Sequence, residues 1–297
     1  MLSSEQTETE LRDGVVAFDL TRDLITVTGP DAMTYLQGQI SQDVERMRPG
    51  TSAWSFVLEP QGKVAAWFRI SRFGDEGGES PLFVIDVDHG HGDETLARLA
   101  RFKLRTKADF ELLASAVVAV RGPLAERPPM ARTLGFEWGA ESGFDVWGDD
   151  RALVEALPRG SAQDHEVFRI RHGIPAMGAE LESSTIPAEA GVVDQSVSFT
   201  KGCYVGQELV ARVDSRGNNT PRRLRGFLIE GDDLPDPGAE LQVNDDVAGQ
   251  LTSVGRSCER GIVALGYLKR AFEDATSVSV LARPGVSLSA TVMAFPF

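Results

Sequence analysis

The sequence predicts an α+β protein built in three segments, the last of them a small antiparallel β-barrel or sandwich. Three observations carry this expectation. Residues 15–114 alternate strand-type and helix-type apolar spacing. Residues 115–220 do so again, with longer stretches rich in turn residues. Residues 221–297 hold short alternating runs about ten residues apart, separated by glycine and acidic turns. A chain of 297 residues with 42% apolar content can bury a sizeable core.

The elements follow in order. MLSSEQTETELRDG (1–14) has neither a basic region nor an apolar stretch, so it is no secretory signal. With Glu5, Glu8 and Glu10 it reads as a short, flexible acidic tail. LITVTG (24–29) alternates as a strand, and Pro30 and Asp31 open a helix with Met33, Leu36 and Ile40 at helical spacing. AWSFVLE (53–59) and VAAWFRIS (64–71) read as strands joined by a tight Pro60-Gln61-Gly62-Lys63 turn. FGDEGGESP (73–81) reads as a loop and LFVIDV (82–87) as a strand. DETLARLARFKL (93–104) is expected to be helical, with Leu96, Leu99, Ala100 and Leu104 on one face.

In the second segment, 116–120 and 143–148 read as strands, and RALVEAL and DHEVFRIRHGI as helices. Val167 and Ile170 fit a buried face of the latter, which Gly173 and Pro175 end. Residues 187–202 are mostly loop, and GQELVARV (206–213) starts a short helix. Six strands are expected after residue 221: LRGFLIE, AELQV, VAGQLTSV, IVALGYL, SVSVLA and SLSATVMAF.

Charge and sulfur narrow the function. The formal charge is -14, which repels phosphate backbones at long range and disfavours direct nucleic-acid binding. A local cluster of Lys201, Arg212, Arg216, Arg222, Arg223 and Arg225 suits an anionic small ligand as readily as a nucleic acid. No apolar run is long enough for a transmembrane helix. Two cysteines, Cys203 and Cys258, make no disulfide scaffold, and the expected setting is cytoplasmic, with both thiols free.

FTKGCYVGQELVAR (199–212) concentrates chemistry around Cys203. A thiol reacts as thiolate, which nearby cations and helix N-termini favour. Lys201 stands two residues before it and a helix is expected just after it. Gly202 and Gly206 permit tight turns and close approach of a ligand, while Gln207 and Glu208 supply an amide and a carboxylate. The same spacing also accommodates a small buried side chain at a loop–helix junction. Cys258, in SVGRSCERG, reads as an incidental thiol on a hairpin between barrel strands. HGHG (89–92) reads as a solvated turn beside Asp86, Asp88 and Asp93, and no metal site is expected.

KGCYVGQE (201–208) resembles the signature of the YgfZ family. These are folate-binding proteins linked to iron–sulfur enzyme maintenance and related to the aminomethyltransferase (T-protein, GcvT) of glycine cleavage. YLQGQISQDV (35–44), EPQGKVAAWFRI (59–70), RIRHGIPAMGAEL (169–181), IPAEAGV (186–192) and ARVDSRGNNTPRRL (211–224) are similar to other family blocks in order and spacing. The resemblance implies a GcvT-like three-domain ring: two α+β domains (15–114, 115–220) and a C-terminal β-barrel (221–297) around a central folate channel. It implies tetrahydrofolate as cofactor, with Glu189 meeting the pterin edge and Arg212 and Arg216 as candidates for the glutamate tail. It implies Cys203 as the functional thiol, with Lys201, Gly202, Tyr204, Gly206, Gln207 and Glu208 shaping its site. The implied role is in iron–sulfur cluster assembly or repair, alongside client or assembly proteins.

Two other readings stand beside it. One is a folate-dependent aminomethyl- or demethyltransferase, the other a protein related to tRNA modification. The transferases carry a pair of aspartates on the second strand of the hairpin, where this chain aligns Ala66 and Trp67. Neither replacement can take up a proton or stabilise an iminium, so glycine cleavage itself is not expected.

Overall fold

The computed structural model describes residues 1–74, 81–128, 132–283 and 285–297. Most of the loop expected over 73–81 lies outside the described residues. Eight strands form one sheet: β1 (Val16–Thr28), β2 (Ser52–Leu58), β3 (Val64–Phe73), β4 (Leu82–Asp88), β5 (Asp109–Arg121), β6 (Thr133–Trp138), β7 (Glu141–Trp147) and the short β8 (Arg159–Gly160). The order is β2-β3-β4-β1-β5-β7-β6, antiparallel throughout, with β8 parallel to β1.

The boundary expected at 114/115 falls inside β5, which pairs with β1 from Asp109 to Arg121 without a register shift. The sheet therefore runs across both expected α+β segments. Its edge strands also meet. Gly135 N donates to Ser52 Oγ at 2.7 Å, and Trp54 Nε1 donates to the Glu137 carbonyl at 3.1 Å. β6 was not apparent in the sequence.

Helices α2 (Ala32–Gln39) and α3 (Gly92–Ala100) cover one face, burying Tyr35, Leu36, Ile40 and Leu99 against Ile25, Phe68 and Ile85. The helix expected over 93–104 stops at Ala100, and Leu104 is 83% exposed rather than on the buried face. Residues 148–154 are a 3-10 turn where RALVEAL suggested a helix. A buried ion network stitches the sheet: Arg22 pairs with Asp86 and Asp88, Arg69 with Asp86 and Asp145, and Arg121 with Asp145.

The acidic N-terminus is helix α1 (Ser4–Asp13), not a flexible tail. A capping box explains its start: Ser3 Oγ accepts from Gln6 N, and the Gln6 side chain accepts from Ser3 N. Its acids are not all solvated. The buried Glu8 carboxylate accepts from Ser257 Oγ, Cys258 N and Glu259 N on a barrel hairpin.

α4 (Ala162–Arg171) lies between sheet and barrel, with Val167 and Ile170 buried against Leu224, Val263 and Tyr267 as their spacing requires. The barrel is β9 (Arg222–Ile229), β10 (Glu240–Val243), β11 (Asp246–Ser257), β12 (Gly261–Lys269), β13 (Ser277–Arg283) and β14 (Val286–Met293). It closes in the order β10-β11-β12-β9-β14-β13, leaving no free edge. All six expected strands are present. Two short helices, α5 (Val193–Ser196) and α6 (Gln207–Ser215), carry the remaining segment across the sheet face opposite α2 and α3.

Candidate functional site

The loop before α6 displays a thiol because its flanking residues are anchored inward. Lys201 Nζ donates to the carbonyls of Gln37, Ile40 and Gln42 at 2.7, 2.7 and 2.8 Å, tying the loop to the C-terminal end of α2. Burial pulls its ammonium down to about 8. With three carbonyls bound, Lys201 is an anchor rather than a cation directed at the sulfur. Tyr204 is buried beside it, its ring 5.2 Å from Nζ, and burial pushes its hydroxyl up to about 12. Gln207 Oε1 accepts from Tyr204 N at 3.3 Å and closes the turn into α6.

Gly206 begins that helix at φ 83°. A Cβ there would stand 2.6 Å from the Glu59 carbonyl, and one on Gly62 would stand 2.4 Å from Leu209 Cβ. The β2–β3 turn and the start of α6 therefore meet through two glycines, and Gly206 serves packing before any ligand. Between the anchors, Gly202 and Cys203 are exposed. The thiol is not the buried filler its spacing also allowed. Cys258 is exposed too, on the β11–β12 hairpin.

Glu189 ends a 3-10 turn, Pro187–Glu189, and is buried. Its Oε2 accepts from Arg222 Nε at 3.1 Å and from Ile186 N at 3.4 Å. Among the described residues nothing bonds Oε1. The Arg222 guanidinium lies 4.1 Å from the Tyr267 ring centre.

Three cavities adjoin here. The first, about 150 Å³, is lined by Glu189, Asn218, Arg223 and Arg225. It shares Gly191, Leu224 and Arg225 with a second of about 480 Å³. That one shares Trp138 and Gln195 with a third, about 620 Å³, reaching Trp54, Arg69 and Arg127. Together they make a groove with a carboxylate and cations at one end and aromatic walls along it. Arg223 donates to the Asn218 carbonyl and Arg225 to the Leu224 carbonyl, neither in an ion pair within 4 Å among the described residues, and Asn218 Oδ1 is buried without a hydrogen bond. Trp54 stacks on Trp67 with centroids 4.2 Å apart, and Trp138 stands edge-on to both.

The structure thus brings Glu189 to the groove but places Arg212 and Arg216 on the exposed side of α6. Arg223 and Arg225, one turn of chain later, line the groove instead. Glu208 is exposed. Cys203 lines none of the three cavities, but Tyr204 shares an apolar cluster with Trp67, Trp138, Ala190 and Val192 beneath them. Sequence reasoning missed Trp54, Trp138 and Gln195. Their signal was that two tryptophans sit on the hairpin strands, but Trp138 is remote in sequence. Trp67, aligned with the transferases' aspartates, is buried with Nε1 donating to Ser196 Oγ at 2.9 Å. It fills the position with an indole.

The fold is that of the aminomethyltransferases. Aminomethyltransferase T of the glycine cleavage system from Bartonella henselae superposes with a TM-score of 0.81, covering 99% of this chain and 89% of that one at 21% identity. The family described as glycine cleavage T-protein C-terminal barrel domain matches residues 222–297, the barrel. A "tRNA-modifying protein YgfZ" from Cronobacter sakazakii is 29% identical over 74% of this chain and 73% of its own length. An "iron-sulfur cluster assembly factor IBA57 homolog, mitochondrial" from Neurospora crassa is 27% identical over 88% of this chain and 64% of its own. The chain is thus similar to proteins named YgfZ and IBA57 and shares the aminomethyltransferase fold.

Proposed function

We propose that this protein is a tetrahydrofolate-binding factor that supports iron–sulfur cluster assembly or repair, with Cys203 as its functional thiol. The observation that carries the folate reading is the groove running from Glu189 to Trp54. Its chemistry fits each part of a folate. The unbonded Oε1 of Glu189 can accept from the amino-pyrimidine edge of a pterin. The tryptophan walls suit flat rings, and Arg223 and Arg225, each held by one backbone carbonyl, can offer their remaining guanidinium donors to glutamate carboxylates. Bound folate would supply a one-carbon carrier or a reduced pterin. This chain's residues would bind and orient it and keep a thiol close by.

The assembly role is drawn from the relatives named as iron-sulfur cluster assembly factors. Relatives named as tRNA-modifying proteins favour a second reading, which the exposed Arg212 and Arg216 support and the -14 charge opposes. Retention of tRNA on a filter at low salt would favour it. A methylene-transfer role is opposed by Trp67.

Calorimetric titration with tetrahydrofolate tests the groove. Wild-type protein should bind with 1:1 stoichiometry. Glu189→Ala should weaken binding by about tenfold or more, the scale of one lost charge-assisted hydrogen bond. Equal affinity in the variant would remove Glu189 from the pterin site.

A further inference from the structure

A separate cavity of about 300 Å³ lies behind the groove, between α1, α4, the turn joining β6 to β7 and the barrel hairpin. Leu11, Val167 and Phe168 give it an apolar wall. Its charged rim is unevenly satisfied. Arg12 is paired with Asp13 and Glu259. Arg171 donates to the Phe297 carbonyl and lies 3.4 and 3.5 Å from Glu259 and Glu8. Glu8 is held by the hairpin, and Asp164 caps α4 through Ser161.

Glu141 is different. Its one partner among the described residues is His172 Nε2, at 3.4 Å. His172 Nδ1–H donates to the Phe168 carbonyl, 2.8 Å away, and burial lowers the pKa of the ring. Burial favours the uncharged imidazole, and with its proton on Nδ1 that form turns an unprotonated Nε2 toward Glu141 and gives it no cationic partner. Its partly exposed side chain faces a half-open space that Leu11, Val167 and Phe168 also line. A carboxylate in that position favours a ligand that brings its own positive charge.

We infer that this cavity is a second small-molecule site, for a primary amine carrying a flat or branched apolar group, with Glu141 receiving the ammonium and Phe168 the apolar part. His172 also lines the groove on its other side, and its carbonyl accepts from Trp138 Nε1 at 2.8 Å. One residue therefore separates the two spaces. The amine site stands on its own geometry and does not depend on the folate reading.

The test uses benzylamine, with benzyl alcohol as an uncharged probe of the same shape. Binding to the full-length protein is followed by nuclear magnetic resonance, reading the Trp138 indole N–H. Benzylamine should shift that resonance saturably and bind about tenfold more tightly than benzyl alcohol, the ratio expected for one charged hydrogen bond. Glu141→Gln should abolish the preference. Glu141 opens β7 at a partly exposed position, so this variant should fold, and an unchanged thermal midpoint would verify that. Ala140→Trp, at an exposed position on the same rim, should block both probes. Equal binding of amine and alcohol, amine binding unaffected by Glu141→Gln, or no binding of either probe would each overturn the proposal.

Discussion

At the scale of single residues, the thiol motif divides into anchors and a displayed group. Lys201 and Tyr204 turn inward, one to three carbonyls and the other to the apolar cluster. Gly202 and Cys203 face solvent. Sequence reasoning found the motif because eight residues of rare composition stand together. It misassigned Lys201 because adjacency in the chain does not say which way a long side chain points, and the nearest orphan acceptors were the end carbonyls of a helix some 160 residues earlier. The same limit applies to the arginines. Arg212 and Arg216 fall on one exposed helical side, while Arg223 and Arg225 enter a strand at the groove. From this division Cys203→Ala should leave the thermal midpoint essentially unchanged, since it trims an exposed side chain, a change within about 0.5 kcal/mol. It should nevertheless abolish support of iron–sulfur enzymes in cells lacking the wild-type protein. Full rescue by this variant would make the thiol dispensable.

At the scale of elements, the motif's position depends on a contact that no local pattern announces. The turn at Gly62 and the helix start at Gly206 are separated by about 140 residues, yet each glycine leaves room for the other's backbone. Both also adopt positive φ, 77° and 83°. Each looked like an ordinary turn or ligand-approach residue in the sequence, and the reason for their pairing is tertiary. Gly206→Ala should therefore cost about 3 kcal/mol, combining left-handed strain with a Cβ pressed on the Glu59 carbonyl. Chemical denaturation would measure it, and a loss under 1 kcal/mol would show that the contact relaxes freely. The strands were legible where alternation was clean, as in all six of the barrel. α1 was not, because its polar run carries no apolar stripe. Its capping box, Ser3 with Gln6, was the available signal. The expected continuation of α3 to Leu104 failed because helical spacing of apolar residues persists a turn beyond the point where the sheet can cover them.

At the scale of the whole molecule, α4 and its surroundings hold the sheet to the barrel with buried charge as well as apolar contact. Arg169 on α4 reaches Glu180 at 2.8 Å and Ser253 on the barrel at 2.5 Å, while Asp88 on the sheet accepts from Met177 N at 2.8 Å. His165, on the same helix, packs edge-on to Phe18 of β1, and desolvation there lowers its pKa to about 3. His172 at the helix end is lowered as well, chiefly by burial. In the unfolded chain both would titrate near 6.5. Between pH 6.5 and about 3 the unfolded chain therefore binds protons that folded His165 refuses, so stability falls as pH falls through that window. Below about pH 4 the lowered carboxylates Asp23, Asp88, Asp145 and Asp164 add losses of the same sign, because their folded forms resist protonation. Thermal midpoints measured from pH 7.5 to 4.5 should decline steadily, before ordinary carboxylates titrate. The decline should be shallower in His165→Gln, which removes the largest of these proton uptakes while keeping a polar side chain of similar reach. A flat profile in the wild type over that range would mean that the joint between sheet and barrel opens enough for the imidazole to take its proton while the rest of the fold persists.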